Sequence, residues 1–369
     1  MKKIILTGGG TAGHVTPNLA LLPALQEAGY EVEYVGSYEG IEKSLIESKG
    51  IPYHGISSGK LRRYIDIKNL SDPFRVVKGL REAYFLLRKI KPDIVFSKGG
   101  FVSVPVVLAA KMRKIPVIIH ESDMTPGLAN KIAFSGATYV CCNFPETLPL
   151  LPEGKAQVTG CPIRAELMNG SKEKGLEYLG FDSSKPVLFI TGGSLGSVFI
   201  NEHITDILDD LLEKFQVVHQ VGKDHINHDL DNKPGYFQKE TFKGSLPNIF
   251  AAADIVVSRA GANSICELLA LRKPTLLIPL SKLASRGDQV LNAQSFVNQG
   301  FSLKLEEEEI VGAYDSKKIL FDTIMKLYDE RQTFIDTMKK ESIEDSVAVV
   351  MKLIEKTVEE SQKVVDDKK

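Results

Sequence analysis

The stretch Thr7-Gly8-Gly9-Gly10-Thr11-Ala12-Gly13-His14 joins the apolar run Ile4-Ile5-Leu6 to a helix-like segment at 17–25. A buried strand, a glycine turn and a returning helix are the opening unit of a parallel α/β sheet. Glycine admits positive φ and carries no Cβ, so a ligand can rest against the N–H groups of the helix start. A phosphate or sugar oxygen suits such a turn. The spacing Gly8-x-Gly10-x-x-Gly13 also satisfies the dinucleotide fingerprint, which wants an acid at the end of the second strand. Here residues 31–35 run out into Gly36-Ser37, with Glu33 inside the strand and Glu39 late. A plain βα turn without a ligand is the remaining alternative. His14 favours chemistry, because a titratable imidazole at the mouth of a helix start is a usable base.

The same grammar recurs. Strand-like segments at 31–35, 52–56, 93–97, 116–120, 138–142 and 157–159 alternate with helical ones, and then Pro186-Val187-Leu188-Phe189-Ile190-Thr191 leads into Gly192-Gly193-Ser194 and a second helix start. Further strands are expected at 216–220, 237–242, 254–258 and 275–280. Such alternation means parallel sheets covered on both faces, and 369 residues suffice for two cores. The expected fold is α/β, two Rossmann-like parallel-sheet domains facing across a cleft. Residues 1–163 form the first domain, 164–340 the second, and 341–369 a C-terminal helix packing back on the first.

A net charge of −1 and a pI near 6.7 exert no pull toward nucleic acid. The apolar run after Met1-Lys2-Lys3 stops at Gly8, too soon for a signal peptide, and no run approaches a membrane span. Four cysteines, Cys141, Cys142, Cys161 and Cys266, show neither metal spacing nor a disulfide framework, which suits a cytoplasmic protein with buried thiols. Between Lys60 and Lys91 stand ten basic residues against Asp66, Asp72 and Glu82, a local net charge of +7. Phe74, Val77, Leu80, Tyr84 and Leu87 recur there at helical spacing. A helix packed on the sheet with a solvated basic rim accounts for part of this segment; basic charge beside apolar residues also suits an anionic membrane surface.

A second chemical stretch is Ser258-Arg259-Ala260-Gly261-Ala262-Asn263-Ser264-Ile265-Cys266-Glu267. Its helix start offers N–H groups and short polar side chains to a diphosphate, and Glu267 could accept from both hydroxyls of a ribose. Equally, Asn263 or Ser264 could cap the helix with Glu267 as capping-box partner.

Taken together, Gly9-Gly10-Thr11-Ala12-Gly13-His14, Gly99-Gly100-Phe101-Val102-Ser103, His120-Glu121, Gly127-Leu128-Ala129-Asn130-Lys131, Gly160-Cys161-Pro162-Ile163-Arg164, Gly192-Gly193-Ser194 and 261–267 resemble the MurG family. These are the peptidoglycan N-acetylglucosaminyltransferases that convert lipid I into lipid II. The resemblance implies a B-type glycosyltransferase with UDP-N-acetylglucosamine as donor and undecaprenyl-linked lipid I as acceptor. It implies work at the cytoplasmic face of the cell membrane, held peripherally on anionic lipid, with no nucleic-acid partner. By the same resemblance Thr11, Ala12 and Gly13 line the donor sugar and diphosphate, and Arg164 and Ser194 contact the diphosphate. Phe242 and Lys243 hold uracil through backbone groups, Ala262, Asn263 and Ser264 approach the phosphates, Glu267 takes the ribose, and Gln289 reads sugar hydroxyls. Arg164 read alone is equally a surface charge at a hinge.

The chain departs from the family pattern at three places. Ser122-Asp123 follows His120-Glu121 where many members have Gln-Asn, leaving Asp123 as the substrate contact there; Leu195 stands where others have Gln; and Asp288 precedes Gln289 where others have a second glutamine. The implied reaction is a single inverting displacement, in which the muramyl 4-hydroxyl attacks the anomeric carbon and UDP leaves. Either His14 or Glu121 is the base. No acidic pair with metal-binding spacing stands at a strand end, so no tightly held metal is expected, although loosely bound magnesium fits the scheme. A diacylglycerol glycosyltransferase and a UDP-N-acetylglucosamine 2-epimerase are the rival readings.

Overall fold

The computed structural model describes residues 2–59, 72–193, 195–281, 287–341 and 345–366. The chain divides into two compact units, Met1–Arg164 with Glu344–Lys369, and Ala165–Ile343.

In the first unit, β1 (Lys2–Thr7), β2 (Tyr30–Ser37), β3 (Tyr53–Ile56), β4 (Ile94–Ser97), β5 (Val117–Glu121), β6 (Tyr139–Cys142) and β7 (Ala156–Val158) form a seven-stranded sheet in the order β3-β2-β1-β4-β5-β6-β7. Every pairing is parallel, with Ile4 opposite Val32 on one side and Ile94 on the other. Neighbouring residues of β1 face opposite layers, and both layers are dry. Ile4 and Leu6 join a core with Leu21 and Leu25 of α1 (Thr16–Glu27), and Ile5 joins another with Ala83 and Leu87 of α3 (Asp72–Ile90) and Val106 and Val107 of α4 (Ser103–Met112). The first of these cores also takes Val350, Met351, Leu353, Ile354 and Val358 from α15 (Ser346–Asp366). A helix from the far end of the sequence thus completes one face of the first sheet.

In the second unit, β8 (Val187–Thr191), β9 (Gln216–Gln220), β10 (Tyr236–Lys239), β11 (Ile255–Ser258), β12 (Thr275–Leu277) and β13 (Ser302–Lys304) form a six-stranded parallel sheet in the order β10-β9-β8-β11-β12-β13. In both sheets the first strand stands where the order reverses: β1 lies between β2 and β4, and β8 between β9 and β11. Ligands of open α/β sheets collect at the carboxyl ends of the strands beside such a switch point. Both glycine turns singled out from the sequence occupy that position.

Among the described residues no helix is long and apolar enough to cross a membrane. The thiols of Cys141, Cys142 and Cys161 are buried, and burial pushes the first two up to about 12, so neither is a nucleophile at neutral pH.

Candidate active site

At the switch point of the first sheet the chain leaves β1 through Gly8, Gly9 and Gly10 and enters a single turn of 3-10 helix, Ala12–His14, ahead of α1. Thr11 and Gly13 are exposed, with Ala12 and His14 half-buried. The His14 Nδ1 lies 3.1 Å from the Gly9 carbonyl and 3.1 Å from Thr11 Oγ1. A carbonyl only accepts, so Nδ1 carries the hydrogen, Thr11 Oγ1 is its second acceptor, and in the neutral ring the lone pair falls on Nε2. The loop after β4 packs against this turn. Gly100 has φ +84°, and a Cβ there would stand 2.4 Å from the Gly9 oxygen, so the two loops meet backbone to backbone.

Glu121 does not have the arrangement of a base. Its Oε1 accepts from the N–H groups of Ser122 (2.9 Å) and Asp123 (3.1 Å), and its Oε2 from Gly127 N (3.1 Å) and Asn130 Nδ2 (2.8 Å). The carboxylate is buried, and it shapes the 122–130 loop ahead of α5 (Leu128–Ala133). An acceptor with four donors on its two oxygens is engaged with this loop, an arrangement that speaks against Glu121 in the either-or choice of base between it and His14. Asp123, half-buried, owes its backbone position to that contact.

Beside it lie two buried groups, of which Lys98 went unnoticed in the sequence and His120 was quoted there without a role of its own. Lys98, at the end of β4, donates from Nζ to His120 Nδ1 (2.8 Å) and Ser122 Oγ (2.7 Å), and His120 Nε2 lies 2.9 Å from the Gly160 carbonyl. Burial, and then the Lys98 cation, hold His120 well below the usual imidazole range. His120 is therefore neutral, accepting at Nδ1 and donating at Nε2, and it ties β4, β5 and the segment after β7 together. A lysine directly before a glycine pair at a strand end was the available signal for Lys98.

In the second unit, α10 (Ala262–Ala270) is preceded by Gly261 as its N-cap, with no side-chain cap. Ala262, Asn263 and Ser264 are its first three residues, whose N–H groups have no acceptor within the helix. Glu267 is half-buried in the second turn, outside the capping-box position, which removes the capping reading. Gln289, in α11 (Asp288–Asn298), accepts at Oε1 from Leu280 N at 3.0 Å. That bond braces the segment after β12.

The expected uracil contacts are narrowed. Phe242 N donates to Gln220 Oε1 (3.4 Å), Phe242 O accepts from Leu246 N (3.1 Å) and Lys243 O accepts from Ser245 N (2.8 Å). Of the four backbone groups, the N–H of the exposed Lys243 alone makes no hydrogen bond among the described residues. Gln220, another residue the sequence did not reveal, also donates to Gly193 O at 2.9 Å and so joins the glycine turn after β8 to the segment after β10. Arg259 does similar work across the sheet. It reaches Ile278 O (3.1 Å), Pro279 O (3.2 Å), Ser197 Oγ (2.7 Å) and Glu307 Oε1 (2.5 Å). Arg164 is half-buried at the end of the first unit. Ser194 lies outside the described residues, as do Lys60, Arg62, Arg63 and Lys68 of the basic stretch. Among the described residues no three His, Cys, Asp or Glu side chains stand together as a metal site.

Comparison with known proteins bears on all of this geometry. Residues 4–141 match the glycosyltransferase family 28 N-terminal domain and residues 187–354 the glycosyltransferase family 28 C-terminal domain. The chain is 61% identical over 354 residues to a UDP-N-acetylglucosamine--N-acetylmuramyl-(pentapeptide) pyrophosphoryl-undecaprenol N-acetylglucosamine transferase of Lachnospira eligens, covering 96% of this chain and 99% of that one. A protein of the same name from Lachnoclostridium phytofermentans is 58% identical over 355 residues, with 96% and 99% covered. In fold the chain is similar to MurG of Acinetobacter baumannii (TM-score 0.72, 23% identity, 96% and 100% covered). The glycotransferase of kitacinnamycin gives a TM-score of 0.73 at 15% identity, with 97% and 99% covered.

Proposed function

From the membership of this chain in glycosyltransferase family 28, we propose the function that its residues carry out: transfer of N-acetylglucosamine from UDP-N-acetylglucosamine to the 4-hydroxyl of the N-acetylmuramyl-pentapeptide of undecaprenyl-linked lipid I. The observation that carries this reading is the 61% identity extending over nearly the full length of both chains. It makes lipid II for peptidoglycan synthesis, and the reading leaves the diacylglycerol transferase and the epimerase without support.

In the mechanism we assign, Nε2 of His14 takes the proton of the acceptor hydroxyl as its oxygen forms the new bond to the anomeric carbon. The bond from that carbon to the diphosphate breaks, and UDP departs with the electron pair, which inverts the anomeric centre. The N–H groups of Ala262, Asn263 and Ser264, with Arg164 and Ser194, balance the charge gathering on the diphosphate. Glu267 accepts from the ribose hydroxyls, the Lys243 N–H addresses uracil, Gln289 faces the donor sugar, and Thr11, Ala12 and Gly13 border the sugar and diphosphate. The scheme uses no tightly held metal; turnover in excess chelator tests that part.

The acceptor's polyprenyl tail stays in the bilayer, so the first unit has to meet a membrane surface. Support comes from α3, whose outward face carries Phe74 (79% exposed), Val77 (66%) and Phe85 (52%) among Arg75, Lys78, Arg81, Arg88 and Lys89. Purified protein given labelled donor and a lipid I analogue, with diacylglycerol as the rival acceptor, tests the function. The expected result is a labelled disaccharide on the lipid I analogue alone; label on diacylglycerol, or epimerised donor without transfer, overturns it.

A further inference from the structure

The Gly9–Gly10 peptide is held from both ends. Its N–H, on Gly10, donates to Glu42 Oε2 at 3.1 Å, and its carbonyl, on Gly9, accepts from His14 Nδ1 at 3.1 Å. One planar, resonance-coupled group therefore stands between a carboxylate and the imidazole. Glu42 belongs to α2 (Ile41–Glu47) and is 0% exposed. Its Oε1 accepts from Ser37 N (3.0 Å) and Ser37 Oγ (2.5 Å). A Cβ on Gly9 would stand 2.6 Å from that carboxylate, so the glycine is what lets the acid lie flat beneath the turn. Burial, the largest single influence, raises the carboxyl; the hydrogen bonds from Ser37 and Gly10 outweigh it and hold Glu42 below the usual carboxylate range. Glu42 is an anion wherever the enzyme works.

We propose that Glu42 is a positioning residue for His14, acting through the Gly9–Gly10 peptide, a role that rests on the reading of His14 as the base. An anion on the peptide N–H draws electron density toward the Gly9 oxygen. That oxygen then holds Nδ1–H more strongly, fixes the tautomer that leaves Nε2 to accept, and stabilises the imidazolium formed when Nε2 takes the acceptor proton. No proton crosses the peptide. The arrangement performs the task of a carboxylate bonded directly to a catalytic histidine, with one amide interposed. Other ionisable groups facing the pair do not compete. Tyr34 of β2 donates to Gly8 O (2.7 Å) and Tyr53 of β3 to Ser37 O, both kept neutral by burial, and the Lys98 ammonium from β4 points to His120 and Ser122.

The test uses the full chain with histidine ring 13C and 15N labels, the His14 signals being assigned by their loss in His14→Asn. Glu42→Gln keeps the size and one of the two acceptor oxygens while removing the charge. The expected result is a fall in the His14 titration midpoint by about half a unit or more. The acid limb of kcat/KM should follow it downward, with turnover reduced about tenfold and UDP affinity unchanged. Glu42→Asp, which keeps the charge, should bring the midpoint back toward that of the unmodified protein. Loss of turnover with an unmoved His14 midpoint would mean that Glu42 only braces the loop, and would overturn the proposal. So would an Nε2–H tautomer of His14 in the unmodified protein above its midpoint, a measurement that needs no variant to fold. Full turnover in His14→Ala would overturn the role of His14 as base separately, because the coupling is read from the titration itself.

Discussion

Two glutamates near the same loops show how a residue's role follows from what its oxygens already hold. Glu121 accepts four hydrogen bonds and organises the 122–130 segment, while Glu42 spends one oxygen on the peptide that orients His14. His14 was legible in the sequence because a histidine after a glycine turn has few structural reasons to be there. Glu42 was not, since an acid in the first turn of a surface-looking helix is commonplace and only the tertiary fold carries it under β1. Glu267 was ambiguous between cap and ligand, and the helix register decides: with Gly261 as N-cap it stands a full turn beyond any capping position. Glu267→Ala should weaken UDP binding by about 1–3 kcal/mol. The corresponding deoxyribose nucleotide should lose much less. Titration calorimetry with both nucleotides checks this, and equal losses would return Glu267 to a structural role.

At the scale of an element, α3 shows how far periodicity reaches. Helical spacing alone groups Phe74, Val77, Leu80, Tyr84 and Leu87 on one face. In the fold that stripe is split: Ala83 and Leu87 are buried, Leu80 and Tyr84 pack against the same core, and Phe74, Val77 and Phe85 turn outward. Tyr84 also lies under the Arg113 guanidinium, 5.2 Å from its ring centroid, so neither it nor the core-packed Leu80 lies on the outward face. A sheet presents a broader surface than a second helix, and the stripe that covers it can drift around the helix along its length. If the outward face meets anionic lipid, each basic residue contributes about 1 kcal/mol near the surface. Reversing Arg75, Lys78 and Arg81 to Glu should then abolish cosedimentation with vesicles containing anionic lipid and lower turnover on vesicle-borne acceptor. Turnover on a short-chain soluble acceptor should be nearly unchanged. Unaltered vesicle binding would remove α3 from the membrane face.

Over the whole molecule, each unit encloses a histidine that burial keeps neutral. His120 lies in the first and is held well below the usual range. His219 lies in the second, pushed down to about 3 by burial, between Tyr236 OH (3.1 Å) and Asn201 Oδ1 (3.0 Å). Once unfolded, each histidine regains a pKa near 6.5, so the unfolded chain binds more protons and stability falls as pH drops below that value. The slope is about 1.4 kcal/mol per pH unit for each histidine. Calorimetry should show lower unfolding temperatures at pH 5.5 than at pH 7.5 for both units, and replacing His219 by Gln should flatten the second unit's dependence. Pattern in the sequence determined the two parallel-sheet domains and the glycine turns at their strand ends, because alternation and turn chemistry are local and repeat along the chain; the family came from the resemblance of its motifs. Tertiary structure alone decided which α15 residues enter the first core, that Glu121 shapes a loop, and that Lys98, Gln220, Arg259 and Glu42 hold the strand-end loops in place. Those contacts join residues distant in sequence whose types carry no periodicity, and a buried polar side chain acquires its meaning only from the partner the fold brings to it.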